Sequence, residues 1–284
     1  MKIGFIGAGK VGFTLGKYFT ENGVSVSGYF SRNIESAKQA AVFSGTECFE
    51  ILEEIVTASD ILFLTVPDSA VKDLWNNLKT MQNIQGKIIC HCSGLMSSLD
   101  FEGINEYGTF GYSVHPLFAI SSKTQSYKTI NQAVFTIEGN EKYLDYFKEL
   151  FENLGNKVYM ITADKKVKYH AAAVFLSNQV NALAHIGCKL LKECGFDEEF
   201  NKTALSTLFL NNCKAIAEKG AFNALTGPVE RNDLTTIQKH MDCFSGNEKD
   251  LYSLLSLQLL EIAKEKHNDT DYSEIQKFLK EKSQ

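Results

Sequence analysis

The sequence has no excess of basic residues: 29 Lys and Arg stand against 34 Asp and Glu, a formal net charge of -5. A nucleic-acid backbone calls for a groove of uncompensated cations, so nucleic acid is not an expected partner. Long apolar runs are also missing. The stretches 61–66 and 171–176 fall far short of the roughly 18 residues that a membrane span requires, and no membrane association is expected. No stretch long enough for a removable signal peptide precedes the first apolar run, so a cytoplasmic location is expected. Seven cysteines, an odd number, are scattered singly apart from Cys90 and Cys92, which is not the spacing of a disulfide framework. Reduced thiols follow. If 87–92 is a strand, alternation turns His91 away from both cysteines, so no metal site is expected there. Internal repeats and low-complexity segments are absent as well.

What is present is a chain of 284 residues, 44% hydrophobic, long enough for a large core and for about two domains. Its first half alternates short apolar runs with amphipathic stretches, the pattern of a parallel sheet covered by helices. Strands are expected at 2–6, 24–30, 60–66, 87–92, 112–115, 133–138 and 157–162, with a short one at 46–49, and crossover helices at 33–43, 69–81 and 141–154. From about Lys165 the periodicity becomes helical, at 165–194, 198–219, 234–244 and 247–267, and the lysine-rich tail from Ser273 reads as a frayed or surface helix. The expected architecture is an α/β Rossmann domain with a mostly parallel sheet over residues 1–163, followed by an all-α C-terminal domain over 164–284.

The most informative motif is Gly7-Ala8-Gly9-Lys10-Val11-Gly12, which follows an apolar strand and opens an amphipathic helix. In a βαβ unit these glycines have separate tasks: Gly7 permits the tight turn, Gly9 lets backbone approach a pyrophosphate, and Gly12 allows close helix–strand packing. The helix N-terminus then faces the phosphates with free N–H groups. Gly12 and Gly16, one helical turn apart, let this helix lie close on the sheet.

An NAD site would carry Asp or Glu at the end of the second strand to accept from the ribose hydroxyls. Here the chain reads Phe30-Ser31-Arg32-Asn33, with no carboxylate before Glu35. Arg32 and Ser31 suit a ribose 2′-phosphate, which makes NADP the expected cofactor; a solvated surface arginine is the alternative. At the ends of later strands, Thr65-Val66-Pro67-Asp68 and Ser93-Gly94 occupy the places where open α/β sheets bind ligands, although turn and cap chemistry explains the same residues.

These stretches, with His91-Cys92-Ser93-Gly94, His115-Pro116-Leu117, Lys168-Tyr169-His170-Ala171-Ala172-Ala173, Ser177-Asn178 and Leu225-Thr226-Gly227-Pro228 followed by Arg231, resemble the NADP oxidoreductase-like family that joins a Rossmann domain to a helical domain of unknown function. The chain is more distantly similar to 6-phosphogluconate dehydrogenase, 3-hydroxyisobutyrate dehydrogenase, ketopantoate reductase and pyrroline-5-carboxylate reductase. The resemblance implies hydride transfer to or from a small carbonyl, hydroxyacid or imine compound, and a helical domain that shapes the substrate cleft and pairs two subunits into a homodimer. In the hydroxyacid branches a helix supplies a lysine and, four residues later, an asparagine; here Lys168 is followed at that spacing by Ala172. That departure motivates a second reading, a non-catalytic NADP-binding sensor or scaffold. Remote fold similarity suggests a third, hydride exchange with a flavin or deazaflavin.

Read from the residues, the expected long helix places His170, Ser177 and Asn181 on one face, with Lys168 and Asn178 on adjoining faces. Reduction of a carbonyl or imine needs a proton donor, and His115, His170 or a desolvated Lys168 is a candidate. Ser177 and Asn178 complete the catalytic candidates; Asn181 and Arg231 are candidates for holding the substrate, Arg231 by pairing with an anion.

Overall fold

The computed structural model describes residues 1–282 and divides into two compact units, Met1–Leu176 and Ser177–Gln284. In the first, eight strands form one sheet in the order β3-β2-β1-β4-β5-β6-β7-β8. These are β1 (Ile3–Ile6), β2 (Val26–Phe30), β3 (Glu47–Phe49), β4 (Ile61–Leu64), β5 (Ile88–His91), β6 (Phe110–Leu117), β7 (Val134–Gly139) and β8 (Lys157–Met160). Only β6 and β7 pair antiparallel, so the sheet is mostly parallel, as its alternating apolar runs require. Every expected strand has its counterpart.

The helices between strands are α1 (Lys10–Glu21), α2 (Ile34–Ser44), α3 (Leu52–Ala58), α4 (Asp68–Leu78) and α5 (Leu144–Asn153). The seven-residue α3 is absent from the pattern reading because two turns are too short to display a period; Leu52, Ile55 and Val56 are nevertheless buried. Along the strands alternate residues feed two cores. Phe5, Phe63 and Cys90 join Phe19, Tyr29, Phe147 and Phe151 on one face, while Ile6, Leu62, Leu64 and Ile89 join Trp75 and Phe101 on the other. The close seat of α1 is visible at Gly16, where an added Cβ would lie 1.7 Å from the Tyr29 hydroxyl.

The last element of this unit is α6 (Lys166–Leu176). The periodicity predicts one helix over 165–194, whereas the backbone breaks at Ser177 (φ -130°, ψ -71°) and resumes as α7 (Asn178–Glu193). Ser177 meets Asn178 Oδ1 through its hydroxyl, and its carbonyl accepts from the Asn181 side chain at 3.2 Å, a local arrangement that competes with helix continuation.

The second unit is helical throughout: α7, α8 (Glu198–Ala204), a π-helical stretch Leu205–Phe209, α9 (Leu210–Ala224), α10 (Leu234–Cys243), α11 (Asn247–Lys266) and α12 (Ser273–Lys282). Its core gathers Leu225, Val229, Ile237, Met241 and Leu260 with Tyr272, Ile275 and Leu279. The tail is therefore no frayed surface helix: Ile275 and Leu279, four apart on α12, are completely buried, and the Ser253 hydroxyl donates to the Leu279 carbonyl at 2.7 Å. Among the described residues no helix is long and apolar enough to cross a membrane.

Candidate active site

The glycine turn closes against the end of β4. Gly7 has φ +111°, a conformation that L side chains rarely adopt, and a Cβ there would lie 2.6 Å from the Thr65 carbonyl oxygen. Thr65, buried, donates its hydroxyl to the Gly7 carbonyl at 2.7 Å, and a Cβ on Gly12 would strike that same carbonyl at 2.6 Å. Gly9 differs. It is exposed, and the one atom near its added Cβ is the Thr65 carbonyl oxygen at 3.6 Å, so its backbone is open to an approaching group. No side chain caps α1 and its first turn holds no acidic residue, leaving the N–H groups beyond Ala8 and Gly9, at Lys10 and Val11, facing outward as an anion site.

A cleft of about 540 Å³ runs past this turn, lined by Gly7, Gly9, Ser31, Arg32, Ser36 and Pro67 among others. At its far end Arg32 is exposed beside the start of α2, where Asn33 caps Ser36 and the Ser31 oxygen accepts the Asn33 N–H at 3.3 Å. The Ser31 bond does not use its own hydroxyl proton. A second hollow of about 390 Å³ shares Gly9, Thr65, Val66 and Pro67 with the first and continues to Asp68, His91, Cys92 and Ser93. The donor set fits a dinucleotide: a backbone cradle without Cβ atoms in the middle and a cation with hydroxyls at one end.

The other end is a polar cluster on one face of the sheet. Ser93 stands at its centre. Its hydroxyl donates to Asp68 Oδ2 at 2.5 Å and accepts the N–H groups of Leu95 and Met96, each at 3.1 Å. Its N–H donates to His91 Nδ1 at 3.3 Å, and the other ring nitrogen, Nε2, lies 3.0 Å from the Ser97 carbonyl. One nitrogen accepting and the other donating defines a neutral imidazole, and burial holds the His91 pKa down, to about 4.

Lys166, the first residue of α6, is the buried lysine of this region, with 1% of its surface exposed. Its Nζ donates to the Ser93 carbonyl at 2.9 Å and to the Ser113 hydroxyl at 2.7 Å. Burial pulls its pKa down to about 8, against the opposing attraction of Glu138, so at neutral pH the amine is still mostly protonated. Three residues on, the Tyr169 hydroxyl lies 2.8 Å from His115 Nδ1. Burial, with the positive charge of Lys166 second, takes the His115 pKa to about 3 and keeps the ring neutral. His115 and His170 meet over Gly94, where an added Cβ would lie 2.9 Å from His115 Nε2 and 2.7 Å from the His170 ring.

The structure thus brings His115, His170 and Ser93 together and adds Lys166, Tyr169, Ser113 and Glu138, which sequence reasoning did not single out. Lys168 is exposed on the opposite side of α6 from Lys166. A sequence signal for the buried lysine existed: Lys166, Tyr169, His170 and Ala173 follow the spacing of one helical face, and Lys168 does not. Ser177, Asn178 and Asn181 are exposed at the start of the second unit, and Arg231 is exposed in a turn, its N–H bonded to the Gly227 carbonyl at 3.1 Å.

The buried neutral histidines give the fold an acid limit. His91 binds a proton near 6.5 when solvated and near 4 when folded, so the folded state loses stability as pH falls through that window. Its share is on the order of 3 kcal/mol. Urea unfolding of His91→Phe between pH 7 and 4 is expected to show lower stability at pH 7 but a shallower loss on acidification; a slope equal to that of the wild type would contradict the assignment.

Comparison with known proteins places this geometry. Residues 2–93 match the family described as NADP oxidoreductase, coenzyme F420-dependent, and residues 133–259 match a domain of unknown function, DUF2520. No curated protein matches the chain. Among solved structures it is similar to a protein from Thermotoga maritima (27% identity, 93% of this chain and 99% of that one, TM-score 0.74). It is also similar to a Bacteroides fragilis protein described provisionally as an NADP oxidoreductase (25% identity, 92% and 98%, TM-score 0.70). An imine reductase from Pseudomonas sp. shares the fold at 16% identity over 98% of this chain and 91% of that one, with a TM-score of 0.59. The chain thus joins a segment that matches the NADP oxidoreductase family model to one that matches the DUF2520 model, on the fold of NADP reductases.

Proposed function

We propose that the protein binds NADP along the cleft and reduces the C=O or C=N bond of a small molecule. The observation that carries this reading is the continuity, within one unit, from an uncapped helix N-terminus at a glycine turn to Ser93, whose carbonyl holds the buried Lys166 ammonium. Bound nicotinamide supplies the hydride that adds to carbon. The chain's own residues do the rest. Gly7, Gly9 and the first turn of α1 hold the pyrophosphate, while Arg32 and Ser31 hold the 2′-phosphate. Lys166 provides the proton that the reduced oxygen or nitrogen takes up, leaving an alcohol or an amine. His115, fixed by Tyr169, and His170 form the wall over Gly94. The fold shared with an imine reductase agrees with this reading without selecting a substrate.

The reading extends to a homodimer formed through the second unit. From α7 to α9 no side chain is buried, and Leu183, Phe196, Phe200, Leu208 and Phe222 each expose 40% or more of their surface. Apolar surface on this scale calls for a cover. Sedimentation is expected to give the mass of two chains, and Leu208→Glu to give that of one; a monomeric wild type would sink this part of the reading.

Removing one charge-assisted contact to a phosphate typically costs about 1.5–3 kcal/mol. Arg32→Ala should therefore weaken NADPH binding about 10- to 100-fold, leaving NADH binding unchanged. Equal loss for both cofactors would show that Arg32 does not read the phosphate.

NADPH oxidation screened against oxoacids, imines and a deazaflavin tests the chemistry. Lys166→Met is expected to lower kcat by about 100-fold or more while the Kd for NADPH stays within about twofold. Unaltered turnover would remove Lys166 as the proton donor. Binding without turnover across the whole panel would favour the sensor, and turnover with the deazaflavin alone would favour cofactor-to-cofactor exchange.

A further inference from the structure

Lys166 carries a charge into a place where it has lost almost all contact with water, and such a cation needs a counter-charge as well as hydrogen-bond acceptors. Its two acceptors, the Ser93 carbonyl and the Ser113 hydroxyl, are neutral. The charged and titratable groups that face it come from five elements. They are Glu138 of β7, Asp68 at the start of α4, the Cys92 thiol after β5, the imidazoles of His91 on β5 and His115 on β6, and, on α6 itself, His170 and Tyr169, whose phenol is kept neutral by burial and whose ring lies 5.7 Å from the Lys166 Nζ. Both strand imidazoles are held neutral, which leaves two carboxylates.

Glu138 and Asp68 are differently placed. Asp68 is exposed, so water and salt weaken its field. Glu138 is 6% exposed. In the antiparallel ladder it stands directly opposite Ser113, the residue whose hydroxyl Lys166 grips, and paired residues project to the same face of a sheet. Its carboxylate is held at both oxygens, Oε2 by the Ser98 N–H at 2.7 Å and Oε1 by the Ser98 hydroxyl at 2.6 Å, the acceptor-only pattern of an ionised group. Ser98 belongs to the loop that begins with Ser93, so a buried cation pins one end of this loop and a buried anion the other.

We propose that Glu138 is a positioning residue, the buried counter-charge that keeps the Lys166 amine protonated across the loop both residues hold. It touches neither cleft and acts through Lys166; the inference rests on the reading of Lys166 as proton donor only for its functional meaning, not for its test.

The test reads Lys166 directly, in the full-length protein without substrate. With ε-carbon-labelled lysine, the resonance that Lys166→Met removes identifies Lys166, and its titration midpoint in the wild type is expected near 8. Glu138→Gln should lower that midpoint by roughly one unit, and Asp68→Asn should lower it less. An unchanged or raised midpoint in Glu138→Gln, or a larger shift in Asp68→Asn, overturns the proposal. If Glu138→Gln does not fold, the double variant Ser98→Ala/Glu138→Met removes the carboxylate together with the hydroxyl it satisfies, and the same downward shift is required of it. The outcomes separate cleanly from those of the functional reading: active Lys166→Met removes the proton donor and leaves this titration untouched, whereas an unmoved midpoint beside an inactive Lys166→Met removes only Glu138.

Discussion

Taking an ammonium ion out of water costs several kcal/mol unless the protein replaces its hydration, so the position of Lys166 dictates what must surround it. The replacements come from distant parts of the chain: the Ser93 carbonyl is 73 residues away in sequence and the Ser113 hydroxyl 53. Together they tie the start of α6 to the loop after β5 and to β6. The same charge then disciplines its neighbours. His115 is kept neutral by burial and by Lys166 together, and His91 by burial, which outweighs the opposing pull of its bond to the Ser97 carbonyl. A single buried cation with the two strand imidazoles neutral beside it is less costly than several cations at close quarters.

The other half of the candidate site is built from backbone. The sheet order reverses between β1 and β4, with β2 and β3 on one side of β1 and β4 to β8 on the other, and ligands of open α/β sheets lie at that reversal beyond the strand ends. Gly7 and Thr65 sit just beyond the ends of the two strands that flank it and are locked to each other by a hydroxyl-to-carbonyl bond. Side chains contribute little here because the contacts are too close for them. This explains why the glycine-turn half of the candidate site depends on residues defined by what they lack, a Cβ, and the half around Ser93 on residues defined by their polar groups and charge.

That difference decides what could be read from the sequence. The glycine turn, the order of strands and helices, and the Arg32 position are local patterns, so spacing along the chain was enough to find them. Strand alternation likewise put Cys90 and His91 on opposite faces. The break at Ser177 depends on contacts rather than on period, because a run such as 165–194 satisfies helical spacing whether or not the chain bends in the middle, and contacts likewise decide that Lys166 is buried while Lys168 is exposed. The tail misled in the opposite way: its lysines suggested solvent, while Ile275 and Leu279 needed only one spacing of four to anchor it.

Helix α6 shows most plainly why periodicity was insufficient. A soluble helix ordinarily turns its apolar stripe inward. In α6 the inward face carries Lys166, Tyr169 and His170, and the outward side carries Val167 and Phe175, exposed by 65% and 70%. Rotating the helix by half a turn would bury those apolar groups, but it would also place the Lys166 ammonium in water and break its bonds to Ser93 and Ser113 together with the contact between Tyr169 and His115. Glu138 would then be left as a buried charge without its cation, a penalty that opposes the gain from covering those side chains. The rotation of α6 thus follows its hydrogen bonds across the sheet, whereas hydrophobic burial, the usual guide from sequence to orientation, would favour turning Val167 and Phe175 inward.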